Sequence, residues 1–245
     1  MIVGGGPPDD RTSATGSAEI IDLKPPDPVY RPAMPLSLPR IHLNAVLLPD
    51  RTVFVSGGAI VHEETAIAPI ARLQAEIYDP LTDTWRPGAV ARTVRMYHSV
   101  SLLMPDGRVM TTSGNPPPYG RHVPWQPPQE NEEMTIEMYS PPYMFSANRP
   151  VIDRAPLEWR YNQTVELVTG HSGAILWAEL IRSGITTHAF DNSQRLVDLP
   201  ITARANSGLS VQTPPTAGVA PPGWYILFLV DQQRVASAGT WIHLS

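Results

Sequence analysis

Apolar residues in this chain gather in runs of four to eight, and Gly, Pro, Asn and Asp close each run. That is the rhythm of short strands joined by turns, and no long stretch carries the three-and-four spacing of an amphipathic helix. An all-β protein is predicted. The pattern also recurs: the segment from Arg40 to Asp50 returns from Met96 to Asp106. His42 and His98, Pro49 and Pro105, Val53 and Val109, and Gly58 and Gly114 are each separated by 56 positions. A register held across strand, turn and strand marks one supersecondary unit used more than once.

Each copy runs in the same order: a strand, a Pro-Asp turn, a second apolar strand, a Ser-Gly break, a variable loop and a third strand. The third strands are read at residues 75–79 and 135–140, and Thr84-Trp85 opens a fourth in the middle copy. Strand, Gly-Gly, Tyr and Trp at this period describe the kelch form of a β-propeller blade. The glycine pair allows a close-packed turn that side chains would obstruct. A further copy at the N-terminus holds only a second half, in residues 3–6 and 18–23, so the chain reads as starting mid-blade. About two and a half blades result, too few to close a ring, and missing N-terminal blades are an expected partner.

The period stops after Phe145. Strands are then predicted at 164–168, 174–178, 179–182, 196–199, 208–212, 223–230 and 240–244. Seven strands divided by turn residues indicate an immunoglobulin-like, early-set β-sandwich. The predicted division is 1–147 for the partial kelch propeller and 148–245 for the sandwich.

Composition narrows the function. Eighteen basic against 23 acidic residues give a net charge of -5, which offers no footprint for nucleic acid or an anionic membrane. No apolar run suits a membrane span, and the first residues lack the regions of a signal peptide. The sequence has no cysteine, so disulfides, thiolate metal sites and cysteine-derived cofactors within it are excluded. The seven histidines, His42, His62, His98, His122, His171, His188 and His243, are the evident metal ligands, although a histidine taken singly is most often a surface or hydrogen-bonded residue. His42 and His98 occupy one place in the repeat, so a histidine there can be simply a blade residue. The later copy differs by Tyr97, where the earlier has Ile41. Neighbours on a strand point to opposite faces, so Tyr97 and His98 can share an ion only at a strand end or bulge.

Taken together, three segments carry a family resemblance. Residues 95–109, with Tyr97-His98 and Pro105-Asp106-Gly107, resemble the copper-ligand segment of galactose oxidase and glyoxal oxidase. Residues 187–195, from Thr187-His188 to Gln194-Arg195, resemble the loop by which that family's last domain reaches into the propeller. Residues 221–228 resemble its penultimate sandwich strand. The resemblance covers essentially the whole chain and implies the C-terminal part of a copper radical oxidase. Such enzymes oxidise primary alcohols or aldehydes while reducing O2 to H2O2, usually outside the cell.

By that resemblance Tyr97, His98 and His188 are the metal ligands, with Tyr97 the axial tyrosine that takes the substrate proton. Imidazole and phenolate suit Cu(II) in a tetragonal field, and cation ligation stabilises the phenolate form that can act as base. The other half of the centre, a radical tyrosine crosslinked to cysteine, is not encoded here. The expected outcome is an incomplete site, inactive alone. Substrate-facing positions fall near Asp9, Asp10 and His62, none of which matches the galactose-binding residues of the sugar oxidase. The competing reading is a non-enzymatic propeller and sandwich module that binds a protein or a glycan.

Overall fold

The computed structural model describes residues 1–6, 13–61, 71–114 and 133–245. The expected substrate positions Asp9, Asp10 and His62 lie outside the described residues. Three antiparallel sheets come first: β1 (Ile2–Val3), β2 (Ala18–Ile21) and β3 (Tyr30–Ala33); then β4 (Asn44–Leu47), β5 (Val53–Ser56), β6 (Gln74–Asp79) and β7 (Thr84–Val90); then β8 (Val100–Leu103), β9 (Val109–Thr112) and β10 (Ile136–Tyr139). One four-stranded sheet flanked by two three-stranded ones corresponds to two and a half blades, as the repeat predicts. The N-terminal copy is fuller than predicted. Tyr30 opens the outer strand β3, and the proline-rich residues 22–29 connect it to β2.

The 56-residue register holds down to single hydrogen bonds. In the middle blade Arg51 N–H donates to Leu48 O and Leu48 N–H to Thr52 O; in the next, Gly107 donates to Met104 O and Met104 to Arg108 O. The carboxylates of Asp50 and Asp106 both accept the N–H two residues on, at 3.1 and 2.9 Å. Arg51 and Gly107 share a left-handed backbone, φ 64° and 93°. Glycine adopts this freely, whereas a non-glycine residue is strained there by about 1 kcal/mol.

The glycine pair behaves as the sequence implies. A side chain at Gly58 (φ 84°) would put its Cβ 2.4 Å from Ile41 O, and one at Gly57 (φ 69°) would approach Arg95 O at 2.8 Å. Gly58 N–H donates to Arg95 O across the blade boundary. Close backbone contact thus fixes the segment just before Tyr97.

The remaining strands are β11 (Glu158–Trp159), β12 (Thr164–Val168), β13 (Ile175–Arg182), β14 (Arg195–Leu199), β15 (Ile201–Ala205), β16 (Gly208–Gln212), β17 (Gly223–Asp231) and β18 (Thr240–Leu244). A five-stranded sheet, β11-β18-β17-β13-β14, packs on a three-stranded one, β12-β16-β15. The two strands predicted at 174–178 and 179–182 are the single strand β13, since no turn residue interrupts them and β13 pairs with β17 along its length, with one irregularity between Ile175 and Trp177. The strands β11 and β15 were not predicted. β11 is only two residues long, and β15 is mostly exposed, so its alternation is weak.

Alternation on β17 decides how the parts pack. Tyr225, Leu227 and Leu229 point into the sandwich with Trp159, Leu180 and Val211. Ile226, Phe228 and Val230 point the other way and share a core with Val46, Phe54, Ile77, Leu103 and Val109 of the blades. The strand is therefore apolar on both faces, the mark of a sheet covered twice.

Polar contacts repeat this docking at each blade. Arg234 donates to Asp50 O and pairs with Asp79 at 2.6 Å, while Arg149 donates to Asp106 O at 3.1 Å and to Ala236 O and Ser237 O. Two arginines thus grip equivalent carbonyls of the two Pro-Asp turns. Arg51 adds a reverse contact: its guanidinium lies 4.2 Å from the Trp177 ring centroid and pairs with Glu179 and Asp198. Its left-handed backbone carries this side chain from the turn to the sandwich. No helix among the described residues is long and apolar enough to cross a membrane.

Candidate functional site

Tyr97 and His98 lie in a turn immediately before β8, closed by Ser99 N–H donating to Met96 O at 3.0 Å. His98 takes the left-handed conformation, φ 62°. A residue at φ > 0 abolishes strand alternation, so the two neighbouring side chains swing to one side. Their rings stack with centroids 3.9 Å apart and planes at 29°. The condition set by the sequence, a strand end at which both can face one ion, is met.

His188 arrives from the β13–β14 connection. Thr187 and Phe190 exchange both backbone hydrogen bonds, at 3.0 and 2.9 Å, around His188 (φ 54°) and Ala189 (φ 58°). Two positive φ values make this a type I′ hairpin turn, a geometry normally given to Asn and Gly. The loop is held from behind. Asp191 Oδ1 accepts the N–H groups of Ser193 and Gln194, both at 3.1 Å, and of Ile185 at 3.3 Å. Gln194 pairs its amide with the backbone of β4, accepting from Leu47 N–H and donating to Ala45 O at 3.0 Å. The loop is thereby fastened to the innermost strand of the middle blade.

The consequence is convergence. The His188 ring lies 5.6 Å from that of Tyr97 and 5.0 Å from that of His98, nearly perpendicular to the latter at 83°. Thr187 Oγ1 lies 2.6 Å from His188 Nδ1, a contact that orients the ring and leaves Nε2 outward. His98 and His188 are exposed and Tyr97 half-buried. The three residues selected from sequence sit at one place, while Asp9, Asp10 and His62 lie outside the described residues.

A fourth ring joins them. His42, the repeat counterpart of His98, lies 5.0 Å from Tyr97 and also has a positive φ, 60°. By the repeat alone a histidine at this place can be simply a blade residue. The same equivalence places both histidines at the inner strand ends of adjacent blades, and that could have identified His42. Beside the cluster, a cavity of about 450 Å³ is lined by Leu43, Asn44, Ala45, Ala189 and Phe190 among others. In it Asn44 is buried, with Nδ2 donating to Ser99 at 2.8 Å and Oδ1 lacking a hydrogen bond.

Among the described residues no group of three or more His, Asp or Glu side chains forms a metal site by itself. The phenol of Tyr97 beside the imidazoles of His98 and His188 offers mixed N and O donors, of the kind that Cu(II) accepts. The cysteine-free sequence supplies no thioether partner for a tyrosine.

Residues 149–244 match the family described as galactose oxidase-like, early set domain. The whole chain aligns with a galactose oxidase of Gibberella zeae at 29% identity, over 36% of that protein. It aligns over 95% of its length with the aldehyde oxidase GLOX of Vitis pseudoreticulata at 32% identity, over 46% of that protein. The chain thus spans less than half the length of these curated relatives. Among solved structures, a fungal alcohol oxidase of the AA5 family in complex with copper superposes with a TM-score of 0.86 at 25% identity, covering 99% of this chain and 50% of that one. Residues 149–244 thus carry the galactose oxidase-like early set domain, and in sequence and superposition alike the whole chain is similar to galactose oxidase and glyoxal oxidase.

Proposed function

We propose that this chain carries the imidazole and tyrosine half of a copper radical oxidase site, held between kelch blades (1–147) and an early-set sandwich (148–245). The observation that carries the reading is the meeting of Tyr97, His98 and His188, drawn from two distant segments. His98 and His188 would hold the ion through their imidazoles, and Tyr97 through its phenol oxygen. Copper, when bound, supplies a Lewis acid and a one-electron acceptor.

The overall reaction would convert a primary alcohol and O2 to an aldehyde and H2O2, or an aldehyde and water to the acid in the same way. In it Tyr97 takes the hydroxyl proton of the substrate at its Oη, and the loop fixed by Asp191 and Gln194 keeps His188 opposite. The Tyr-Cys radical partner is absent from the sequence, so the 245-residue protein binds copper without turning over alcohol. An extracellular setting accords with O2 and peroxide chemistry and with the family.

Copper titration followed by electron paramagnetic resonance tests this reading. The expected result is a tetragonal Cu(II) signal, lost in His98→Ala and His188→Ala, with no peroxide formed from primary alcohols or aldehydes. Absence of site-specific copper would favour a non-enzymatic binding module, and robust peroxide formation would refute the half-site.

A further inference from the structure

The last two blades hold the segments that lead into their first strands in the same way. Arg40 donates from Nη1 to Gly57 O at 3.2 Å and from Nη2 to Gln74 O at 3.0 Å; Arg95 donates to Ser113 O at 3.0 Å and to Thr135 O at 2.8 Å. Glu76 accepts the N–H groups of Ser37 and Leu38, as Glu137 accepts those of Arg92 and Thr93. The backbone carbonyls of Arg40 and Arg95 each accept a glycine N–H from the preceding blade, that of Gly5 and of Gly58. By these contacts the counterpart of Arg40 is Arg95, at an offset of 55 rather than 56. From the histidines onward the offset is 56: His42 and His98 share a left-handed φ of 60° and 62°, and Asn44 pairs with Ser56 as Val100 pairs with Thr112. Between these two points the earlier copy has Ile41 alone, and the later one has both Met96 and Tyr97.

We propose that Arg95 and Asn44 are positioning residues for Tyr97, a role that rests on the copper-site reading and accounts for the shape of that site. One excess residue can be absorbed by slipping β8 against β9, which would turn each β8 side chain to the opposite face, or by a bulge. Slippage is blocked, because Ser101 and Leu103 are buried and the β8–β9 register repeats that of β4–β5. Retreat upstream is blocked by the Arg95 guanidinium, which ties the segment to the break at Ser113 and to Thr135 just before β10. Asn44 closes the other end. Its Nδ2 donates to Ser99 Oγ at 2.8 Å across the blade boundary, and Ser99 N–H closes the turn on Met96 O. Arg95, Asn44 and Ser99 are all buried. The extra residue is therefore expelled between two fixed ends. Met96 turns inward and is buried, and Tyr97 turns onto His98 and toward His188.

The test uses the intact 245-residue protein. Without copper, nuclear magnetic resonance follows the ring contacts of Tyr97 with His98 and His188; with copper, calorimetry and the phenolate-to-copper absorption band follow the site. Asn44→Leu and Arg95→Met should weaken the ring contacts, the band and Cu(II) affinity, the last by about tenfold. Arg95→Lys, which keeps a cationic donor, should retain part of all three. Ser99→Ala should reproduce Asn44→Leu, and the double variant should lose no more than either alone, because both remove one bond. Deletion of Met96 should remove the excess residue and abolish the Tyr97–His188 contact, which Met96→Leu preserves. Circular dichroism establishes folding, and where a severe variant fails to fold, Arg95→Lys and Ser99→Ala decide. The proposal is overturned if the folded anchor variants are merely less stable and keep the ring contacts and band of the parent, or if the folded deletion variant keeps the Tyr97–His188 contact. A parent that binds no copper at Tyr97 would refute the copper reading alone, because the copper-free ring contacts still decide the role of the anchors.

Discussion

The rings of Tyr97 and His188 meet at 5.6 Å with their planes at 66°, although one belongs to a propeller blade and the other to a sandwich loop. The hydrogen bonds of Gln194 to β4 and of Asp191 within the loop hold that meeting in place. Gln194→Ala should therefore weaken Cu(II) binding about tenfold without touching a ligand. Calorimetric titration checks this, and unchanged affinity would show that the loop needs no such anchor.

His42 positions Tyr97 by ring contact. Its replacement in His42→Ala should shift and weaken the phenolate-to-copper absorption band and lower Cu(II) affinity by about tenfold. His42→Phe, which keeps a ring there, should restore most of the band. Equal loss in both variants would mean that His42 acts as a ligand in its own right.

Gly57 stands against the carbonyl of Arg95, two residues before Tyr97. Gly57→Ala adds a Cβ at 2.8 Å from that oxygen and a side chain at φ 69°. A loss of about 2 kcal/mol in stability is expected. The substitution should also disturb the Tyr97 turn, observable as a changed Cu(II) spectrum. A variant as stable as the parent would contradict the close approach.

Arg51 lies between Trp177, Glu179 and Asp198. Arg51→Ala leaves the wholly buried Glu179 carboxylate unpaired and should cost about 3 kcal/mol. Pairing Arg51→Met with Glu179→Leu should recover much of the loss, because both charges then leave the interface together. Denaturant unfolding of the single and double variants measures the difference. A double variant as unstable as Arg51→Ala would assign the effect to lost packing on Trp177.

Burial raises the Glu179 carboxyl well above its ordinary value of 4.5, although Arg51 opposes the shift. The folded state then holds the proton more tightly than the unfolded chain. Stability contributed by the protonated group is complete below 4.5 and declines as pH rises from there toward the folded value. Glu179→Gln should flatten that part of the stability curve in thermal unfolding across pH. An unchanged slope would place its cause elsewhere.

Much of this was legible in the sequence because the repeat is a physical register. Pro49 and Pro105 mark turns whose hydrogen bonds coincide at the same offset, and Gly58 and Gly114 mark breaks at positive φ, where at Gly58 a side chain has no room. Tyr97, His98 and His188 stood out because their segments resemble those of a known family, since residue type alone does not separate them from the other histidines. Contacts between remote segments were not. Nothing local to Gln194 states that its amide completes β4, and Arg51 gives no hint that it occupies the conformation held by Gly107 in the next blade. The strand β15 escaped because an exposed edge needs no alternation.

Arg234 and Arg149 grip Asp50 O and Asp106 O, the same atom in successive copies of one repeat. The spacing of two arginines on the sandwich therefore works as a caliper, setting the pitch between two blades from outside the ring. His42 stands on one of those blades and Tyr97 and His98 on the other. How the sandwich holds these two turns therefore bears on the gap between His42 and the Tyr97–His98 pair.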